Sequence, residues 1–222
     1  LLPEGKRHLL DIGSGPGYFL AEGARRAWTV QGIEPSVAAS THARSMGLDV
    51  VQGFLGLDTA STLGKFDVIH MSEVLEHIPH PAELIEIARS MLNPGGLLYV
   101  MVPNDYSPFQ EALRDGCGFE PWWVSPPHHV NYFNRESLTG LMRGSGFEVL
   151  HSEATFPIDM FLLMGENYVG DGETGRRCHG LRKNFEFSLA NAGKSQLKRD
   201  LYASLAELGL GRLVGVLGRV SV

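Results

Sequence analysis

Asp11-Ile12-Gly13-Ser14-Gly15-Pro16-Gly17 closes a short apolar run and leads into a helical pattern. Glycines at such a junction let the backbone turn tightly and approach a ligand at the edge of an α/β sheet. Dinucleotide binders space them G-x-G-x-x-G, which needs a small residue at position 18. Here that residue is Tyr18, and the spacing is G-x-G-x-G with an acid two residues ahead. This spacing suits a ligand with no pyrophosphate to rest on the helix N-terminus, and it disfavours a nicotinamide cofactor. Glu34 ends the next apolar run, 21 residues after Gly13. A carboxylate there can accept two hydrogen bonds from a ribose diol, or it can cap a helix beginning at Pro35.

The histidines are the first candidates for proton transfer, because imidazole titrates near neutrality. His128 and His129 lie in a Pro- and Trp-rich connection, and His77 and His80 in Leu75-Glu76-His77-Ile78-Pro79-His80-Pro81. Adjacent side chains of an extended segment point to opposite faces, so one of His128 and His129 can face a ligand; His129 is taken as that residue and His77 as the second candidate base. His80 reads as a helix-edge residue. Cys117 and Cys178 are far apart and no Cys/His spacing matches a metal site, so no metal is expected. Trp122 and Trp123 can stack on a substrate or anchor the connection by burial.

These residues are carried on alternating elements. HLLDIG (8–13), WTVQGI (28–33), LDVVQG (48–53), FDVIHM (66–71) and GLLYVM (96–101) have the apolar character of buried parallel strands. Between them, Pro35 marks a helix start and Gly47 a helix end. Pro81 opens a helix whose Leu84, Ile85, Ala88, Met91 and Leu92 share a face, ended by Asn93-Pro94-Gly95-Gly96. Such alternation calls for a parallel sheet with right-handed crossovers. Residues 103–133 show little helical period and read as a lid-like connection. Asn134 then reads as a helix cap, with Phe133 and Leu138 placed as a hydrophobic staple. FEVLHSEATF (147–156) reads as a strand. Residues 157–211 read as a second irregular, partly helical stretch, in which the FLLM run at 161–164 reads as helix core. RLVGVLGRV (212–220) is a last strand or a frayed helix end.

Length and composition fit one domain with a full core: 222 residues, 43% of them hydrophobic. A net charge of -6, from 25 acids and 19 bases, argues against a nucleic-acid binder. The apolar runs are too short to span a membrane, and no basic-then-apolar leader opens the chain. With two unpaired cysteines, the expectation is a reducing, cytoplasmic setting.

Taken together, DIGSGPGYF, the strand-end Glu34 and FDVIHMSEVLEHIPHP resemble the ordered motifs of class I S-adenosylmethionine-dependent methyltransferases. The similarity is to the small-molecule branch related to ubiquinone-pathway and sugar methyltransferases. LNPGGLLYVMVPN is similar to that family's fifth strand, and HHVNYFNRESLTGLMRGSGFEVL to the stretch before its sixth. The likeness covers about residues 1–156, with RLVGVLGRV placed as the seventh strand; 157–211 matches only loosely, which implies a variable, partly helical substrate-side insertion there.

The resemblance implies a single domain over 1–222. Its fold would be a Rossmann-like, mostly parallel seven-stranded sheet with an antiparallel last strand and helices on both faces. It implies S-adenosylmethionine as cofactor and a small-molecule methyl acceptor. Asp11, Gly13, Gly15 and Gly17, with the adjoining Tyr18, would surround the methionine end. Glu34 and Pro35 would meet the ribose, Gly53 and Phe54 the adenine, and Met71, Ser72 and Glu73 the methionine and sulfonium side. Where the family usually has an acid after the third strand this chain has Phe54, so the adenine amino group would be held by backbone. A protein of the same fold that binds the cofactor without turnover is the alternative. Methyl transfer from a sulfonium needs alignment first: orientation supplies roughly 7–11 kcal/mol, against about 10²–10⁴-fold for a positioned base.

Overall fold

Short Val-, Ile- and Leu-rich runs become strands here because both of their faces are covered. The computed structural model of the chain describes residues 7–220. It contains β1 (His8–Ile12), α1 (Tyr18–Arg25), β2 (Thr29–Glu34), α2 (Val37–Ser45), β3 (Val50–Gln52), α3 (Leu57–Leu63) and β4 (Phe66–Ser72). A single 3-10 turn (Leu75–His77) leads to α4 (Pro81–Ser90), β5 (Leu92–Pro103), α5 (Pro108–Cys117), α6 (Arg135–Gly144) and β6 (Phe147–Ala154). The chain continues through α7 (Asp159–Leu163), α8 (Gly172–Asn191), α9 (Ser195–Glu207) and β7 (Leu213–Val220).

The seven strands form one sheet in the order β3-β2-β1-β4-β5-β7-β6. The pairs β3–β2, β2–β1, β1–β4 and β4–β5 are parallel, with Asp11 opposite Gly32 on one side and His70 on the other. The sheet is mostly parallel and its last strand antiparallel, as the resemblance implies. Chain order runs outward from β1 through β2 to β3 and, on the other side, from β4 to β5, beyond which β7 is inserted ahead of β6. The gap between β1 and β4 is a topological switch point, where α/β sheets open a crevice at the carboxyl ends of their strands.

The chain divides into two compact units. The first holds the described residues up to Met101, with Thr139–His151 and those from Val216 on. Leu10, Ile33, Ile69, Met71 and Leu98 fill its core, and Leu20 on α1 packs with Ala43 on α2 and Val50 on β3. The second holds Val102–Leu138 and Ser152–Gly215, with Leu113, Trp123, Phe161, Cys178 and Tyr202 buried within it.

Several local expectations change. Pro35 does not open a helix: α2 starts at Val37, and Ser36 is its cap, with Oγ accepting from the Ala39 N–H at 3.3 Å. Leu92 is not the end of α4, which stops at Ser90; it pairs with Phe66, and Asn93-Pro94-Gly95-Gly96 lies within β5 beside a register shift. Residues 103–133 are not without helix. Ser107 and Gln110 make a reciprocal capping box for α5, with Pro108 in its first turn. The run at 161–164 is only half core: Phe161 and Leu162 are buried, while Leu163 and Met164 are exposed. Asn134 does cap α6, its Oδ1 accepting from the Ser137 N–H at 2.9 Å, and Phe133 and Leu138 are both buried. Residues 213–220 are strand.

Candidate functional site

The carboxyl ends of β1 to β4 converge on a cavity of about 600 Å³, wholly within the first unit. That volume lies in the range of small-molecule and cofactor sites. Among the residues foreseen from sequence, Gly13, Glu34, Pro35, Gly53, Phe54, Glu73 and His77 line it.

Glu34 ties the site together. Its Oε2 accepts from the Gly15 N–H and its Oε1 from the Ser36 N–H, each at 2.8 Å, while the residue is 7% exposed. One carboxylate therefore joins the glycine loop to the start of α2. Each oxygen has capacity for a second hydrogen bond, so these contacts leave room for a diol.

Gly13, at φ 74°, is where the loop meets the chain after β4: a Cβ there would lie 2.6 Å from Val74 Cγ2. At Gly15, φ 53°, a Cβ would meet nothing within 4 Å. The two glycines thus serve different ends, close packing at Gly13 and an open backbone at Gly15. Gly17 is a packing glycine as well, its Cβ position falling 2.9 Å from Ala43 Cβ on α2. Across the cavity Glu73 adopts φ 56°, and its N–H is held by the Met101 carbonyl at 2.8 Å. A non-glycine residue in this region carries strain of the kind found at ligand sites.

Other foreseen residues stand apart from the cavity lining. Met71 is fully buried in the core, Ser72 ends β4 half-buried, and Tyr18 is exposed with its ring 6.1 Å from that of His42. Asp11 is 3% exposed and bonded to His70, Oδ1 to Nδ1 at 2.7 Å. Burial raises its carboxyl above the usual range, while the hydrogen bond and charge of His70 pull it down. His77 reaches the cavity with a half-exposed ring. His129 belongs to the second unit, where its N–H donates to the Ser125 carbonyl at 2.9 Å.

The sequence reading missed much of the apolar wall, including Val74, Ile78, Leu84 and Ile87; His80 is the helix-edge residue expected, at the N-cap of α4, and lines the cavity as well. Proximity to the turn after β4 was the available signal, since α4 starts directly beyond it. It also missed the buried acids of the second unit. Asp105 is 2% exposed, with its carboxyl pushed up to about 6, chiefly by burial; Asp159 lies nearby and accepts from the Tyr168 hydroxyl at 2.9 Å.

The residues present fit an adenosyl group: apolar side chains and the carboxylate at the end of β2 line the cavity, and that carboxylate holds Gly15, whose backbone has open space around it. Among the described residues no helix is long and apolar enough to cross a membrane.

Comparison with known proteins agrees with this geometry. Residues 1–152 match the family model described as a methyltransferase domain. The ubiquinone biosynthesis O-methyltransferase of Caulobacter vibrioides is 31% identical over 146 residues, 61% of this chain and 57% of that protein. The one from Histophilus somni is 36% identical over 109 residues, 45% of this chain and 46% of its own. The chain thus spans about half the length of these curated relatives. Among solved structures, a SAM-dependent methyltransferase from Archaeoglobus fulgidus aligns with a TM-score of 0.62 at 16% identity, covering 97% of this chain and 86% of that one. The [4+2]-cyclase SpnF aligns with 0.58 at 23%, covering 99% and 77%. At such identities these likenesses speak for the fold alone, which hosts more than one chemistry.

Proposed function

The chain belongs to the class I S-adenosylmethionine-dependent methyltransferases, and from that premise we propose that it binds S-adenosylmethionine in the β1–β4 cavity and methylates a small-molecule acceptor. The observation that carries this reading is Glu34, bonded at once to the glycine loop and to the cap of α2 on the wall of a cofactor-sized cavity.

When bound, S-adenosylmethionine supplies a methyl group on a sulfonium, open to in-line displacement by an acceptor. The chain's share is alignment. Glu34 accepts from the ribose diol; Gly53 and Phe54 border the adenine, with Ile78 and Leu84 providing apolar surface; Glu73 sits toward the amino-acid end. An acceptor hydroxyl or amine that must shed a proton has His77, on the wall of that cavity, as the residue proposed to take it. The relatives' names support a small-molecule acceptor, and the reading sets the protein in the cytoplasm without nucleic-acid or membrane partners.

The test is calorimetric titration with S-adenosylmethionine and with NAD, followed by a product assay over a panel of phenolic and amine metabolites. Binding of the first alone, with methylated product, is the expected result. Binding without product from any acceptor would favour a cofactor-binding protein without turnover, and binding of NAD alone would overturn the assignment.

A further inference from the structure

On the face of the sheet that carries Asp11, three neighbouring strands place three side chains side by side. Asp11 on β1 is in register with His70 on β4, and His70 with Tyr99 on β5. The His70 ring is nearly enclosed, its side chain 13% exposed. Phe19 of α1 stacks on it at 4.0 Å between ring centroids and 24° between planes, and the Tyr99 ring lies parallel at 5.7 Å and 4°. Asp11 Oδ1 lies 2.7 Å from the ring's Nδ1. With both rings fixing its plane, the imidazole has little freedom to turn away.

This arrangement is costly unless it serves the loop. A buried carboxylate two residues before Gly13 brings a charge that burial opposes. Of the ionisable groups on the strands and helix packed around Asp11, His70 on β4 favours that charge and Glu34 on β2 opposes it, while α1 contributes the uncharged Phe19. The carboxylate is buried two residues before the loop, in a poorly screened environment where its field on a nearby cation is strong. The cation at hand is the α-ammonium of S-adenosylmethionine, so this inference rests on the cofactor reading above.

We propose that His70 is a positioning residue of the cofactor site: in ring contact with Phe19 and Tyr99, it keeps the Asp11 side chain oriented at the foot of the glycine loop, for the cationic amino-acid end of the cofactor. His70 acts through Asp11 and touches no reacting atom.

The experiment is titration of S-adenosylmethionine into the whole protein between pH 5.5 and 8, for wild type, His70→Leu, His70→Asn, Asp11→Asn and the Asp11→Asn/His70→Leu double variant. His70→Leu is expected to weaken binding about tenfold at pH 7 and to move the pH below which binding fails upward, since Asp11 then protonates more readily. His70→Asn keeps a donor near the Nδ1 position and should restore most of the affinity. In the Asp11→Asn background the His70→Leu change should have no further effect, which a loss of packing alone would not produce. Should His70→Leu not fold, the comparison of His70→Asn with Asp11→Asn carries the test: the first near wild type, the second weakened with a flat pH profile. An unmoved pH profile in His70→Leu, or additive losses in the double variant, would overturn the proposal. No binding by wild type itself would instead refute the cofactor reading on which it rests.

Discussion

Besides the ribose role proposed for it, Glu34 carries part of the fold. Because it also takes the N–H groups of Gly15 and Ser36, Glu34→Ala should lower apo stability by about 1–3 kcal/mol, and should weaken S-adenosylmethionine by about tenfold to several-hundredfold. Glu34→Gln keeps an acceptor and should fall between. Adenosine without its 2′-hydroxyl should discriminate less between wild type and Glu34→Ala than adenosine does; equal discrimination in calorimetry would leave Glu34 purely a fold residue. The glycines separate in the same way. Gly13→Ala meets Val74 at 2.6 Å in a left-handed backbone, so thermal melting should show a loss of about 2 kcal/mol or more without any ligand. Gly15→Ala has open space around it and should cost about 1 kcal/mol of stability, its larger effect appearing in cofactor titration. Comparable melting temperatures for the two variants would contradict this division.

At the scale of elements, caps decide where helices begin. Ser107→Ala breaks the capping box of α5 and should cost about 1 kcal/mol in denaturant melts, with cofactor affinity unchanged. A coupled loss of affinity would mean that α5 does more than fold. The same box explains what the sequence reading saw and what it overlooked. Strands β1, β2, β4 and β5 were legible because apolar runs bounded by turn residues have few other readings, and Asn134 was legible as a cap. Ser107 and Gln110 were equally in view, but only Gln110 and Leu113 are buried along α5, too few for a visible helical period. Glu34 does end β2 as expected, yet its contact with Gly15 depends on β1 and β2 lying side by side, which spacing does not reveal. The Asp11–His70 pair is of the same kind: two residues 59 apart in the chain, joined only by strand register.

Across the molecule as a whole, buried acids set how stability depends on pH. The Asp105 carboxyl rises from 3.8 to about 6, mainly through burial, with Arg212 opposing and Asp159 adding to the rise. Between about pH 4 and 6 the folded state then holds a proton that the unfolded chain has released, so stability falls as pH rises through this window and levels off above it. The fall is about 3 kcal/mol. Asp11 and Asp159 are raised in the same direction. Asp105→Asn should therefore raise the melting temperature at pH 7.5 and change it little at pH 4; an equal shift at both would show that Asp105 is not the titrating group. These pH effects bear on the fold, whereas the central claim concerns the cavity at the ends of β1 to β4. The measurement that reaches it most directly is a calorimetric titration of the wild-type protein with S-adenosylmethionine, with NAD as the control. One saturable site for S-adenosylmethionine and no heat from NAD is the predicted result; a flat S-adenosylmethionine titration of folded protein would contradict it.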